Sequence, residues 1–202
     1  MDLLAGSGRK WLILSSTHHP EEEQIFGLLQ AGGWKQRYGQ WGLLLVPRHP
    51  ERTAVLRDFI SRKGMDCSLY SELKTPQDAA RDVILVDRIG VLKGLYSLAE
   101  LCFVGGSLIP HGGQNMIEPA ALGRAVLFGP HTANFREAVS LLLGEEAALQ
   151  VENLERLGEE LFQLLDKPSE RLKLGEKARA AIRRRKGAAR RVLQEICSVL
   201  ED

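Results

Sequence analysis

The chain has 202 residues, of which 44% are hydrophobic, so it can bury one good core and we expect a single domain over residues 1–202. Its formal net charge is +1, no apolar run approaches the roughly 20 residues that a membrane-spanning helix needs, and Met1–Lys10 lacks the long apolar stretch of a secretory signal. The odd number of cysteines, without metal-ligand spacing, favours a reduced cytoplasmic interior over a disulfide framework, and we interpret Cys67, Cys102 and Cys197 as structural.

Short apolar runs alternate with helical patterns along most of the chain. The apolar run at residues 42–46, for example, is followed by Val55, Leu56, Phe59 and Ile60 at helical spacing. Because continuously apolar strands belong to sheets covered on both faces, the alternation predicts a doubly wound parallel sheet of the Rossmann-like α/β class. Helices dominate the rest of the chain. We predict strands at 11–14, 42–46, 66–70, 83–86, 101–104 and 125–128, and helices from 21 onward and at 51–63, 91–100, 115–122 and 135–143.

The loops that follow the strands are where we expect the chemistry, since ligands of open α/β sheets bind outside the carboxyl ends of the strands. The first loop reads Ser15-Ser16-Thr17-His18 where a dinucleotide-binding fold would have GxGxxG, so dinucleotide binding is disfavoured. The chain also lacks GxxxxGK[ST], which removes the usual P-loop interpretation. The candidate loops are 15–18, 47–50, 87–91 and 107–118.

The strongest local signal is the run GGQNMIEPA at residues 112–120. Gly112 and Gly113 permit close approach of the backbone to a ligand, and a helix directly after them would present N–H groups and its positive dipole end to one phosphate. Asn115 can cap that helix and contact the ligand, while Glu118, one turn in, can accept hydrogen bonds from ribose hydroxyls. The alternative is that Asn115 and Glu118 form only a capping pair.

A second signal is Pro47-Arg48-His49-Pro50, directly after a buried strand. The two prolines fix the direction of Arg48, whose guanidinium can clamp a phosphate or a carboxylate. His49 is a weaker candidate, because a lone histidine at a strand end is more often a hydrogen-bonded structural residue. The other histidines form no HExxH or comparable set, and nothing in the sequence requires their loops to converge, so we expect no metal site. They are His18, His19, His111 and His131.

Positive charge is concentrated in the segment 167–191, which holds 11 lysines and arginines and two glutamates and is predicted to be helical. A solvated helix face is the simplest interpretation, and attraction to anionic lipid headgroups is the alternative. Aromatic residues are absent from 168–202, so the segment offers no stacking platform and we expect no nucleic-acid partner.

Several motifs in the chain recur in one known family in the same order. They are Ser16-Thr17-His18 with Glu21-Glu22-Glu23, the run 47–52, the run 103–108, Gly112-Gly113-Gln114-Asn115, Glu118-Pro119-Ala120 and Phe128-Gly129-Pro130-His131. Together they resemble the 3-deoxy-D-manno-octulosonic acid (Kdo) transferases over most of residues 11–135. That family has two facing Rossmann-like domains, and this sequence resembles only the second. The resemblance therefore implies the C-terminal domain of a GT-B glycosyltransferase, whose N-terminal domain is not part of this sequence.

The resemblance also implies the ligand contacts of this domain. It would hold the donor CMP-Kdo without a metal or other cofactor. One contact is a Met-Gly-Glu-like turn whose acidic side chain is absent here, so only its backbone contacts carry over, and Gln114 stands where histidine is commoner. The implied contacts are Pro47, Arg48, Ile89, Gly90, Val91, Asn115, Met116, Ile117 and Glu118, with His49, Gly112 and Gly113 as weaker candidates.

The resemblance implies transfer of Kdo, with inversion, to a lipid A precursor at the cytoplasmic side of the bacterial inner membrane. The general base would be a glutamate of the other domain, so no catalytic residue is expected here, and the chain should bind the donor without turning it over. Fixed N–H groups and Arg48 would stabilise the phosphate as CMP departs. The basic segment could contact the membrane or the other domain. Two alternatives remain: a UDP-sugar-dependent GT-B transferase or epimerase domain, and a non-catalytic nucleotide-binding or interaction module.

Overall fold

The structure, a computed structural model, describes the backbone of residues 1–200 and the side chains of residues 1–185. Within that range the strands are β1 (Lys10–Thr17), β2 (Trp41–Pro47), β3 (Cys67–Leu69), β4 (Val83–Leu85), β5 (Leu101–Val104), β6 (Ala125–Phe128) and β7 (Leu149–Gln150). The helices are α1 (Asp2–Ala5), α2 (Glu21–Ala31), α3 (Trp34–Arg37), α4 (Thr53–Arg62), α5 (Pro76–Ala79), α6 (Leu92–Leu98), α7 (Ile117–Ala121), α8 (Arg136–Gly144), α9 (Leu154–Asp166) and α10 (Pro168–Leu200). Short 3-10 turns lie at Pro50–Arg52, Tyr70–Glu72 and Ala133–Phe135.

The strands form one parallel sheet in the order β3-β4-β2-β1-β5-β6-β7. The chain builds outward from β1 through β2 on one side and then resumes next to β1 with β5 on the other. The direction of winding therefore reverses between β1 and β5, which is where open α/β sheets form a ligand crevice. The prediction of a doubly wound parallel sheet is confirmed.

Alternate residues of the central strands pack into separate cores on the two faces of the sheet. In β1, Leu12 and Leu14 belong to the cluster beneath α2 and α9, whereas Trp11 and Ile13 belong to the cluster that includes Tyr96 of α6. Since successive side chains of a strand point to opposite faces, a strand buried on both faces has no polar positions to alternate with apolar ones. This arrangement explains why the strands read as continuous apolar runs.

The predicted strands are all present, and the differences lie in short elements and helix ends. The sequence missed β7, an edge strand of two residues that pairs with β6. The helix expected from residue 115 begins at Ile117, because the side chain of Asn115 accepts the Ile117 N–H before the helix starts. Cys67 and Cys102 are free thiols, and burial raises the pKa of Cys67 to about 11. Cys197 lies outside the described side chains.

The basic segment belongs to α10, and much of its described charge faces this domain. Arg171 is buried and its guanidinium lies 2.6 Å from the carboxylate of Glu100. Further along α10 three exposed ion pairs connect the helix to acidic residues near α8: Lys177 with Glu146 at 2.7 Å, Arg185 with Glu137 at 3.2 Å, and Arg184 with Glu145. Among the described residues, no helix is both long enough and apolar enough to cross a membrane.

Candidate functional site

Three loops meet at the carboxyl edge of the sheet, over the end of β1. The loop after β2 is tied to β1 by the Arg48 N–H, which donates to the Thr17 carbonyl at 2.9 Å. The ring centroid of His18, after β1, lies 5.6 Å from that of His49 and 4.6 Å from that of His111. His111 belongs to the loop after β5, so the loops on opposite sides of the winding reversal come together at His18.

One buried carboxyl group holds the loop after β5 against β1. Glu21, the first residue of α2, has no solvent exposure. One of its oxygens accepts the N–H groups of His18 at 3.1 Å and Gly106 at 2.7 Å, and the other accepts those of Ser107 and Leu108, each at 3.0 Å. Gly106 adopts φ of 65°, which turns consecutive N–H groups toward a single acceptor. Burial raises the pKa of Glu21, and the four N–H donors lower it by less.

The predicted glycine pair forms a left-handed turn further along the same loop. Gly112 and Gly113 have φ of 83° and 77°, and the Gly113 N–H donates to the Gly106 carbonyl at 2.8 Å. A side chain at Gly112 would collide with Asn134, since its Cβ would lie 2.5 Å from the Asn134 amide nitrogen. The pair therefore brings the backbone back toward the winding reversal and leads into the segment before α7.

Asn115 and Glu118 contact each other at the start of α7. The Asn115 Oδ1 accepts the Ile117 N–H at 3.0 Å, and its amide donates to Glu118 Oε1 at 2.9 Å. In a capping box the acidic residue would accept a backbone N–H, so this pair uses only part of that pattern. Glu118 is exposed at the carboxyl edge, whereas the side chain of Met116 is buried in the core, so Met116 offers a ligand only its backbone.

The remaining predicted contact lies on the same edge but two strands away from β1. The turn Ile89-Gly90-Val91 follows β4, which is separated from β1 by β2. Ile89 is 88% exposed and Gly90 has φ of 85°, so the turn projects from the sheet edge. Pro47, at the end of β2, lies between this turn and the three loops around His18.

A polar groove extends from His111 toward the loop after β6. It has a volume of about 560 Å³, and its lining includes His111, His131 and Arg136. Ser107 ties the loop after β5 to the loop after β6, because its hydroxyl accepts the Gly129 N–H at 2.8 Å and its carbonyl accepts the His131 N–H at 2.9 Å. A second, more apolar cavity of about 580 Å³ adjoins this groove at Ala133, Asn134 and Arg136 and lies between α8 and α10.

Arg48 contributes an exposed positive charge to the site. It is exposed, and among the side chains that the structure describes it takes part in no ion pair. The nearby Arg52 differs, since its guanidinium lies 2.8 Å from the fully buried carboxylate of Glu22. An exposed guanidinium next to converging backbone loops is suited to an anionic ligand.

The structure brings His18, His49 and His111 together, which the sequence did not require. Even so, within residues 1–185 no three histidine, cysteine or carboxylate side chains are arranged to hold a metal ion. His19 is exposed and lies near Glu23, while His131 lines the groove. The role of Glu21 was also not predicted, because three of its four partners lie 85 to 87 residues further along the chain. Its only sequence signal was its place in the family motif.

The fold is that of the C-terminal domain of GT-B glycosyltransferases. The C-terminal CMP-Kdo binding domain of WaaA from Acinetobacter baumannii superposes with a TM-score of 0.79 at 27% identity, over 90% of this chain and 98% of that domain. HepE from Anabaena, solved in complex with UDP, is similar in fold alone, with a TM-score of 0.58 at 12% identity over 96% of this chain and 50% of that one.

The sequence relatives identify the family. The chain matches no protein-family model. It is 34% identical over 190 residues to the 3-deoxy-D-manno-octulosonic acid transferase of Haemophilus influenzae, a match that covers 94% of this chain and 44% of that protein. The chain thus spans a little under half the length of this curated relative. The chain is a homologue of the Kdo transferases over their C-terminal domain, which confirms the resemblance seen in its motifs.

Proposed function

We propose that this chain is the CMP-Kdo-binding half of an inverting glycosyltransferase that transfers Kdo to a lipid A precursor in lipopolysaccharide synthesis. The observation that carries the proposal is the meeting of three loops over the end of β1, with Arg48 exposed beside them. This is the crevice in which a doubly wound sheet binds its ligand. Homology to Kdo transferases supports CMP-Kdo as that ligand.

The donor contacts follow from the positions of the loops. Arg48 would pair with the phosphate of CMP, since its guanidinium is exposed and its backbone is held against β1 by the bond to the Thr17 carbonyl. Glu118 would accept hydrogen bonds from the ribose, with Asn115 holding its carboxylate in place at 2.9 Å. The turn 89–91 would contribute backbone contacts from the far side of β2.

The proposed chemistry is stabilisation of a leaving group. When the ketosidic bond of CMP-Kdo breaks, the sugar becomes oxocarbenium-like and the phosphate gains negative charge. The guanidinium of Arg48, paired with the phosphate, would stabilise that charge. We expect no metal or other cofactor to be needed for this step. The base that activates the acceptor hydroxyl would come from a glutamate of a second, N-terminal domain.

The proposed setting is the cytoplasmic face of the bacterial inner membrane, where a lipid A precursor would be the acceptor. The described part of α10 already pairs Lys177, Arg184 and Arg185 with acidic residues of this domain. Attraction of α10 to anionic lipid would therefore depend mainly on the charges not engaged in this way. No nucleic-acid partner is proposed.

Titration calorimetry with CMP and UMP tests the donor assignment. We expect CMP to bind more tightly than UMP, with no change when EDTA is added. Arg48→Ala and Glu118→Ala should each weaken CMP binding about tenfold, as expected for the loss of charge-assisted hydrogen bonds. Arg62→Ala is the matched control, because Arg62 is exposed and, among the side chains of residues 1–185, forms an ion pair only with Asp58 of its own helix.

The alternatives predict different results. Equal or tighter binding of UMP would favour the UDP-sugar-dependent transferase or epimerase, a possibility that the fold likeness to a UDP-bound protein keeps open. Binding of neither nucleotide would favour a non-catalytic interaction module. Transfer of Kdo itself is to be measured on a protein that also contains the N-terminal domain.

A further inference from the structure

Three imidazoles converge at the centre of the carboxyl edge, and of these only His49 is among the candidate donor contacts named above. The ring of His111 stacks on that of His18 at 4.6 Å with an interplanar angle of 21°, and His49 meets His18 edge-on at 5.6 Å and 82°. Resting on the donor assignment above, we propose that His18, His49 and His111 form the subsite that recognises the carboxylate of the donor sugar. This subsite would make the domain specific for a nucleotide-linked ulosonic acid over neutral sugars.

A purely structural role does not account for His18. Its side chain is only 8% exposed, yet within the described residues its buried Nδ1 has no hydrogen-bond partner. The adjacent Thr17 Oγ1 is likewise buried without a partner. Buried polar atoms are nearly always hydrogen-bonded. Two buried polar atoms without a partner, both where the winding of the sheet reverses, therefore point to a ligand that would supply the missing hydrogen bonds.

The charges around His18 favour an anion as the missing group. Burial lowers the pKa of His18, and the neighbouring His111 and His49 lower it further. The Ser16 carbonyl and Glu22 act in the opposite direction but more weakly, and Glu22 is engaged by Arg52. An anion bound at the edge of the cluster, against the ring nitrogens, would favour the imidazolium form, so its binding would be accompanied by proton uptake.

The geometry of the donor fits two adjoining anion subsites. In an ulosonic acid the carboxylate is attached to the ketosidic carbon, which also carries the phosphate of the nucleotide. The two anionic groups must therefore bind within a few bonds of each other. Arg48 and His49 are consecutive, and the Arg48 N–H is bonded to the carbonyl of Thr17, the residue before His18. Beyond His111 the groove of about 560 Å³ leaves room for the rest of the sugar.

Calorimetry with two probes, CMP and CMP-Kdo, separates the two subsites. His111→Gln is the primary variant because its side chain is exposed and its removal leaves the core intact. His18→Gln is the second variant, and His19→Gln is the control, since His19 is exposed and lies outside the cluster. We expect each cluster variant to weaken CMP-Kdo about tenfold and CMP less than twofold, and the control to change neither.

Proton uptake gives an independent readout. Repeating the titrations at pH 7.5 in buffers of different ionisation enthalpy should show that CMP-Kdo takes up more protons than CMP, and that His111→Gln removes the difference. Equal weakening of CMP and CMP-Kdo in the cluster variants, or no weakening of either, would overturn the carboxylate subsite while leaving the Arg48-dependent donor site standing. Failure of the unmodified chain to bind CMP would instead overturn the donor assignment, and this proposal with it.

Discussion

Replacement of Glu21 by glutamine should destabilise the domain far more than its small change in size implies. Each oxygen of the Glu21 carboxyl group accepts two backbone N–H groups. The NH₂ group of glutamine is a donor and cannot accept a hydrogen bond. Two of the four buried backbone N–H groups would therefore lose their acceptor and would point at the hydrogens of the glutamine NH₂ group. Each buried donor left unsatisfied costs about 1–3 kcal/mol, so we expect a loss of about 3 kcal/mol in the free energy of unfolding.

Urea denaturation followed by circular dichroism measures this loss, and thermal unfolding should show a fall in Tm of about 6–12 °C for a domain of this size. The control is Glu23→Gln on the same helix, where the side chain is exposed and the expected change is below about 0.5 kcal/mol. If Glu21→Gln is as stable as Glu23→Gln, the carboxyl group does not hold the loop after β5, and the reasoning from its four hydrogen bonds is wrong.

Two further changes test the packing and the electrostatics of the same edge. Gly105→Ala should lower the free energy of unfolding, measured by urea denaturation, by about 1–3 kcal/mol, because its Cβ would lie 2.6 Å from the backbone of Thr17. Gly27→Ala is the control: Gly27 lies inside α2 with open space around it, so the change should be neutral or stabilising by up to about 1 kcal/mol. The lowered pKa of His18 means that the folded domain resists its protonation, so stability should fall as pH is lowered below about 6.5, the ordinary pKa of histidine. Unfolding free energies at pH 7.5 and 5.5 should show a smaller fall in His18→Gln than in the unmodified chain or in His19→Gln.

The sequence predicted the sheet well because its strands are buried on both faces. Runs such as Leu101–Val104 are bounded by polar residues or glycines and admit few other interpretations. The sequence did not reveal the edge strand Leu149–Gln150, because one half-buried and one exposed residue carry no periodicity. Its existence depends on pairing with β6, which is a tertiary and not a local property.

The site was predictable only where a single loop carries the signal. The proline-bounded Arg48 and the glycine pair at 112–113 could be recognised from local chemistry. The anchor at Glu21 and the meeting of His18 with His111 could not, because the partners are separated by more than 80 residues and come together only through the winding of the sheet. The contacts of the nucleotide itself remain predictions.

The carboxyl group of Glu21 occupies backbone N–H groups that could otherwise bind a phosphate. Loops of this kind often leave consecutive amide hydrogens open to solvent, ready to receive the phosphate of a nucleotide. Here the hydrogens of residues 106–108 are already saturated by an acid that the chain supplies itself. The carboxyl group of Glu21 therefore holds the loop after β5 in place without a bound nucleotide. We expect it to direct an incoming phosphate away from the end of β5 and toward Arg48, which follows β2 on the other side of β1.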